Sequence, residues 1–201
     1  MAKNFIIEDF KKILVLYKLK EVYRSCHVLD RNESSAEHSW GSMILADYFL
    51  SRMKTKLNRE RVMDILLYHD LVEIEAGDTY VHDKEAAKTK KQREKKGLAR
   101  LKRRIPKELV KKYAGLFKEF QDRQTAEAKF ANAIDKLDPI IHSLENSRSW
   151  IEWDLSEEDI REVKEKYLVF SREFMKILDE LLKYLRKSNL IKGSGGKQKR
   201  K

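Results

Sequence analysis

The side chains best suited to chemistry in this chain are His38 in ESSAEHSW, the adjacent His69 and Asp70 in LLYHDLVEIEAGD, and Asp135 in FANAIDKLD. Imidazole nitrogens and carboxylate oxygens together suit a divalent ion of the Mn, Fe, Co, Ni or Zn kind better than Ca or a thiolate-type zinc site. An ion held this way is a means of hydrolysing phosphate esters. The two carboxylates also cancel the formal charge of the dication, which favours burial. Glu73 follows His69 by four residues and Asp70 by three, so one helical turn brings its carboxylate to the same side, where it could hold a water. Gly77 reads as the residue past the helix end, and it puts Asp78 on a turn as a mobile, water-facing carboxylate. A His-Asp pair alone is a weak signal, because a helical His is more often packed or exposed than a ligand. The compound pattern HDxxExxxGD, with an ExxxEH upstream and an Asp in an apolar helix downstream, is far more specific.

Those residues need elements to carry them. Scarce Pro and Gly, two and seven in 201 residues, with abundant Ala, Leu, Glu, Lys and Arg, predict an all-α bundle. No strand-like alternation of useful length is visible, and about seven helical segments are expected. Ile6, Phe10, Ile13, Leu14 and Tyr17 form a first apolar stripe, followed by an irregular stretch from about Arg24 to Ser34. Ser34 or Ser35 caps the next helix, with His38 near its start and Trp40, Ile44 and Phe49 pointing inward. Asn58 caps a third, whose Val62, Ile65, Leu66 and His69 share a face. Pro106 opens another, and residues 126 to 147 form the helix that presents Asp135, bent just beyond it at Asp138-Pro139. Ile160, Val163, Tyr167, Phe170, Phe174, Ile177, Leu181 and Leu185 give one long final stripe for packing or for a subunit interface. Trp150 and Trp153, just before it, could close over a nucleotide base, although core anchoring is the simpler role. His27 and His82 lack a ligand-like partner in the pattern, while His142, seven residues after Asp135, is a candidate support for the ligand shell.

The domain is expected over residues 1–188, with a disordered basic tail over 189–201. A formal charge of +11 resembles a nucleic-acid signature until it is partitioned: residues 84–104 carry +9, residues 192–201 carry +5, and the remainder carries −3. The basic segments could bind nucleic acid, but few aromatics are interspersed, so a solvated face is favoured, or one that gathers anionic nucleotides. A single Cys26 cannot form an intramolecular disulfide and fits a reducing cytoplasm, where a packed thiol is a simpler role than a nucleophile. No apolar run approaches the about 20 residues of a membrane span, and no secretory signal is visible.

LKEVYR, ESSAEHSW, YHDLVEIEAGDTY and TAEAKFANAIDKLD, in that order between residues 18 and 138, resemble the HD-domain phosphohydrolases, and within them the YfbR-like 5'-deoxynucleotidases. That resemblance implies an HD-domain helical bundle with a divalent metal site at its centre. It makes His38, His69, Asp70 and Asp135 the metal ligands, Glu73 and Asp78 the acidic catalytic positions, and Arg24 the residue facing the substrate phosphate. The implied cofactor is one divalent ion per subunit (Mn, Co, Fe, Ni, Zn or Mg), and the implied assembly is a homodimer. Ser25 departs from the pattern, where the characterised relatives have a tryptophan that shapes the sugar pocket. The expected activity is phosphate release from (deoxy)nucleoside 5'-monophosphates. The alternatives are hydrolysis of nucleoside di- or triphosphates or cyclic nucleotides, and a metal-stabilised nucleic-acid-binding module.

Overall fold

The computed structural model describes residues 2–53 and 56–192. Helices α1 (Ala2–Tyr17), α2 (Ser35–Arg52), α3 (Arg59–Tyr68) and the short α4 (Glu73–Ala76) are followed by α5 (Lys84–Leu101) and α6 (Lys107–Asp122). Next come α7 (Ala126–His142), α8 (Ser147–Trp153), α9 (Glu157–Leu168) and α10 (Arg172–Lys187). The caps fall where polar residues can satisfy free backbone N–H groups: Ser34 forms a capping box with Glu37, and Asn58 and Thr125 cap α3 and α7. Pro106 itself takes the cap position of α6.

The all-α expectation holds with one correction. Residues of the supposed irregular stretch form an antiparallel hairpin, β1 (Tyr23–Val28) and β2 (Arg31–Ser34), turning at Leu29 with φ +54°. Its register is irregular between Tyr23 and His27, so the consecutive Cys26 and His27 are both buried and no period-2 pattern reaches the sequence. Helix α8 clamps the hairpin. The Ser149 hydroxyl accepts from the His27 N–H, His27 Nε2 meets Glu152 at 2.6 Å, and His142 and Asn146 both donate to the His27 carbonyl. His27 and His142 therefore serve as anchors of the hairpin.

Helix α7 is the axis of the fold and packs against α2, α3, α6, α9 and α10. Ala128, Phe130, Ala131, Ala133, Ile134, Leu137 and Ile140 are buried around nearly its whole circumference. The stripe read as one final helix is two, because the chain breaks at Val169–Ser171 and Ser171 caps α10 afresh. Of that stripe Ile160, Phe174 and Leu185 are buried, Val163, Tyr167, Ile177 and Leu181 are half-buried and Phe170 is exposed, while Leu178 and Leu182, outside the expected stripe, complete the buried face of α10. Trp40 and Ile44 do not point inward: at 65% and 56% exposed they form, with Tyr48, an outward stripe on α2, while Phe49 packs against Phe174. Helix α1 likewise leaves Phe10, Leu14 and Tyr17 exposed. Residues 189–192 fold back, with the Lys192 N–H donating to Leu155 and Ile191 buried. The remainder of the basic tail lies outside the described residues.

Truncation of a fully buried α10 side chain should expose the packing that holds this bundle. Leu178→Ala is expected to cost about 2–5 kcal/mol in chemical denaturation, whereas Trp40→Ser on the outward α2 stripe should leave the monomer's stability within about 0.5 kcal/mol.

Candidate metal centre

Four helices and turns converge their donors on one point. His38 comes from the first turn of α2, His69 caps the C-terminus of α3, Asp70 follows it in a turn, and Asp135 lies at mid-length on α7. His38 Nε2 is 3.1 Å from Asp135 Oδ1 and 3.7 Å from Asp70 Oδ2, while His69 Nε2 is 3.1 Å from Asp70 Oδ2 and 3.9 Å from Asp135 Oδ1. Donors at about 2.1 Å from a common ion and at right angles to one another stand about 3 Å apart, so these separations suit a first-row divalent ion.

The ring tautomers point the same way. His69 Nδ1 lies 2.7 Å from the Leu66 carbonyl, which can only accept, so the proton is on Nδ1 and Nε2 presents its lone pair. That Nε2 is buried without a hydrogen-bond partner, which a metal ion would supply. His38 Nδ1 meets Asp138 Oδ2 at 2.7 Å and is held for the same task, with Nε2 toward the cluster. Gly41 permits this approach of α2 to α7: a Cβ there would come within 3.2 Å of Asp138 Oδ1. Glu33, His38 and Asp138 form a second grouping on the Nδ1 side, but it holds one imidazole where the first holds two. Asp135 divides its oxygens, Oδ1 toward the histidines and Oδ2 to the Lys136 ammonium at 2.6 Å.

Around these donors runs a cavity of about 300 Å³. Arg24, Glu73 and Asp78 line it together with His69, Asp70 and Asp135, while the deeply buried His38 adjoins it through Asp70 and Asp135 and His142 does not reach it. Arg24 points in from β1, with Nη1 3.5 Å from Asp70 Oδ2 and 3.7 Å from Asp78 Oδ1, and Nε 3.4 Å from Glu33 Oε2. Burial opposes its charge, yet Asp70, Glu73 and Asp78 hold it protonated above the usual guanidinium range. Asp78 is not water-facing as expected, since its side chain is only 15% exposed and faces Arg24. Gly77 does follow α4 with φ +73°, which turns the chain into the cavity. Glu73 accepts from the Ser35 hydroxyl at 2.7 Å. Burial, then the charges of Asp70 and Asp78, push its carboxyl up to about 8, against the opposing pull of Arg24 and Ser35.

The far walls are aromatic. Trp150 and Trp153 meet edge to face, Trp153 stacks beside Tyr80, and the Trp150 N–H donates to Ser143. Both tryptophans line the cavity, so they join the core to the site. Burial raises the Cys26 thiol to about 12, which makes it a packing group. Three supports had no signal in the sequence. Asp138 and Lys136 are hidden in the α7 pattern, and Arg93 is hidden in the basic run. From α5, Arg93 donates to the Ala76 carbonyl and the Thr79 hydroxyl, both at 2.7 Å, so the basic helix braces the turn that carries Asp78.

An HD domain family profile matches residues 16–176. A Xenopus laevis protein named 5'-deoxynucleotidase HDDC2 is 30% identical over 124 residues, which are 62% of this chain and 59% of that protein. The chain thus matches somewhat over half the length of that relative. The 5'-deoxynucleotidase hdd1 of Schizosaccharomyces pombe is 29% identical over 164 residues, covering 78% of this chain and 80% of the other. Among solved structures, a predicted metal-dependent phosphohydrolase from Magnetospirillum magnetotacticum MS-1 superposes with a TM-score of 0.82 at 28% identity, over 92% of this chain and 95% of that one.

In the metal-free protein, burial and Arg24 push the His38 imidazole down, but its bonds to Asp135 and Asp138 outweigh them and raise it to about 10. A metal ion must displace that proton, so divalent-metal affinity is expected to rise with pH between 6 and 9 by about tenfold per unit, as read by competition with a chromophoric chelator. Asp138→Asn should weaken binding about 10–100-fold without altering the donor atoms themselves.

Proposed function

This chain belongs to the HD-domain family, and from that premise we propose that it is a metal-dependent phosphomonoesterase releasing phosphate from (deoxy)nucleoside 5'-monophosphates. The observation that carries this reading is the unpartnered His69 Nε2, set among His38, Asp70 and Asp135 at the wall of a cavity that also holds Arg24, Glu73 and Asp78. The 5'-deoxynucleotidase names of the relatives support the substrate class. His38, His69, Asp70 and Asp135 hold one divalent ion. When bound, that ion supplies Lewis acidity, drawing negative charge from a phosphate ester and acidifying a nearby water.

The chain's own groups do the rest. Arg24 orients a phosphate oxygen through a charge-assisted hydrogen bond. Glu73, whose carboxyl burial raises to about 8, in its ionised form takes the proton of the attacking water as the bond to phosphorus forms. The bond from phosphorus to the 5'-oxygen breaks, and that leaving oxygen takes a proton from a water held by Asp78. The aromatic end of the cavity, with Tyr80, Trp150 and Trp153, receives the nucleoside. Ser25 lines the same cavity and is smaller than the tryptophan of the related pattern, which widens the space around the sugar and relaxes selection against ribose.

The more exposed apolar stripes on α2 and α1 suit a homodimer better than the α10 stripe, whose Phe174 and Leu185 are buried in the core, and light scattering would report that state. No helix of the described residues is long and apolar enough to cross a membrane.

Inorganic phosphate release from deoxy- and ribonucleoside 5'-monophosphates, assayed in Mn, Co, Mg and Zn, is expected to depend on metal and to vanish in His69→Ala plus Asp70→Ala. Glu73→Gln should lower turnover about 10²–10⁴-fold while the protein still binds metal. No release from any monophosphate by metal-loaded protein would sink this reading and direct attention to di- and triphosphates or cyclic nucleotides.

A further inference from the structure

Four buried or half-buried cations line the cavity, and their electrostatic situations differ: Lys90 is 3.7 Å from Glu94. Arg24 is shared among Asp70, Asp78 and Glu33. Lys136 is paired with Asp135 at 2.6 Å. Lys164, on the inward face of α9, is 7% exposed, and its ammonium donates to the Lys136 backbone carbonyl at 2.9 Å. Among the described residues no carboxylate lies within ion-pair distance of it. A buried ammonium with one neutral acceptor is a costly arrangement unless something else supplies negative charge. Burial and the neighbouring Lys136 push it down to about 8, so it remains mostly protonated at neutral pH.

The anion to be bound faces the opposite difficulty. Asp70, Glu73, Asp78 and Asp135 line this cavity, and a phosphate dianion entering it meets their repulsion. Arg24 offers limited relief, because three carboxylates already draw on its charge. Lys164 lines the same cavity, is bonded to the residue next to Asp135, and has ammonium hydrogens left over.

We propose that Lys164 is a phosphate-binding residue of this site, its unpaired ammonium on α9 receiving an oxygen of the substrate's phosphate group alongside Arg24. This rests on the phosphohydrolase reading for its substrate, but phosphate binding can be measured without turnover. The Lys136 carbonyl fixes the ammonium by one hydrogen bond, and the anion completes its shell. The cost of burying the charge without a partner is thereby recovered only when phosphate is bound.

The test is calorimetric titration of inorganic phosphate, and separately of a phosphate-free nucleoside, into Mn-loaded wild type, Lys164→Met and Lys164→Gln, with thermal melts of each protein without ligand. Glutamine keeps a donor for the Lys136 carbonyl and removes the charge. Both variants are expected to bind phosphate at least tenfold more weakly and nucleoside unchanged, with a ligand-free Tm equal to or above that of wild type. The proposal is overturned if either variant binds phosphate within twofold of wild type, if wild type itself binds none, if nucleoside binding falls as far as phosphate binding, or if both variants lose several degrees in Tm. Loss of phosphate affinity in the variants of a protein that hydrolyses no nucleotide would uphold Lys164 and sink the activity instead.

Discussion

The structure depends on a concentration of charge that is largely withdrawn from bulk water. His38, His69, Asp135 and Glu73 are all buried, and Asp70 and Asp78 are nearly so. Carboxylates so placed repel one another and lose hydration, and each must find compensation within a few ångströms. Arg24 and Lys136 supply part of it, protonation of Glu73 another part, and the geometry leaves a divalent ion as the natural remainder. The burial that makes the centre expensive also removes competing water from it.

Most of the fold can be understood as the means of holding that centre still. Because α7 is buried on nearly all sides, Asp135 cannot drift, and Asp138 one turn later fixes the His38 ring through its far nitrogen. The hairpin carries Arg24 in from a remote part of the chain, and α8 secures it through His27. Helix α5, the most basic part of the described chain, braces the Asp78 turn through Arg93 and packs against α4. Gly97 lets its backbone approach closely, since a Cβ there would meet the Val72 carbonyl at 3.2 Å.

The candidate donors were legible because polar residues among apolar neighbours need a reason, but the single helix expected through His69, Asp70 and Glu73 is broken: α3 ends at Tyr68, Asp70 lies in a turn and Glu73 opens α4. The caps at Ser34 and Asn58 were legible for a similar cause, since they act on backbone groups within four residues. Other features depend on contacts distant in sequence. Asp138 sat beside a proline that explained it locally, and Arg93 was one of many cations in its run. Lys164 lay on a stripe whose neighbours advertised packing. The hairpin is short, polar and irregular in register, so it left no alternation. Trp40 and Ile44 recur at helical spacing with Phe49, but spacing alone does not say which face of α2 meets the core. Continuity of period across Val169–Ser171 concealed the break between α9 and α10, because both helices turn their apolar faces to the same core.

The central claim is that these four donors share one ion. Anomalous diffraction from crystals grown with Mn, collected above and below the absorption edge of the metal, tests it most directly. The account predicts a single peak per chain about 2.0–2.2 Å from His38 Nε2, His69 Nε2, an Asp70 oxygen and Asp135 Oδ1. A peak on the Glu33–His38–Asp138 side, or none in protein that binds Mn in solution, would contradict it.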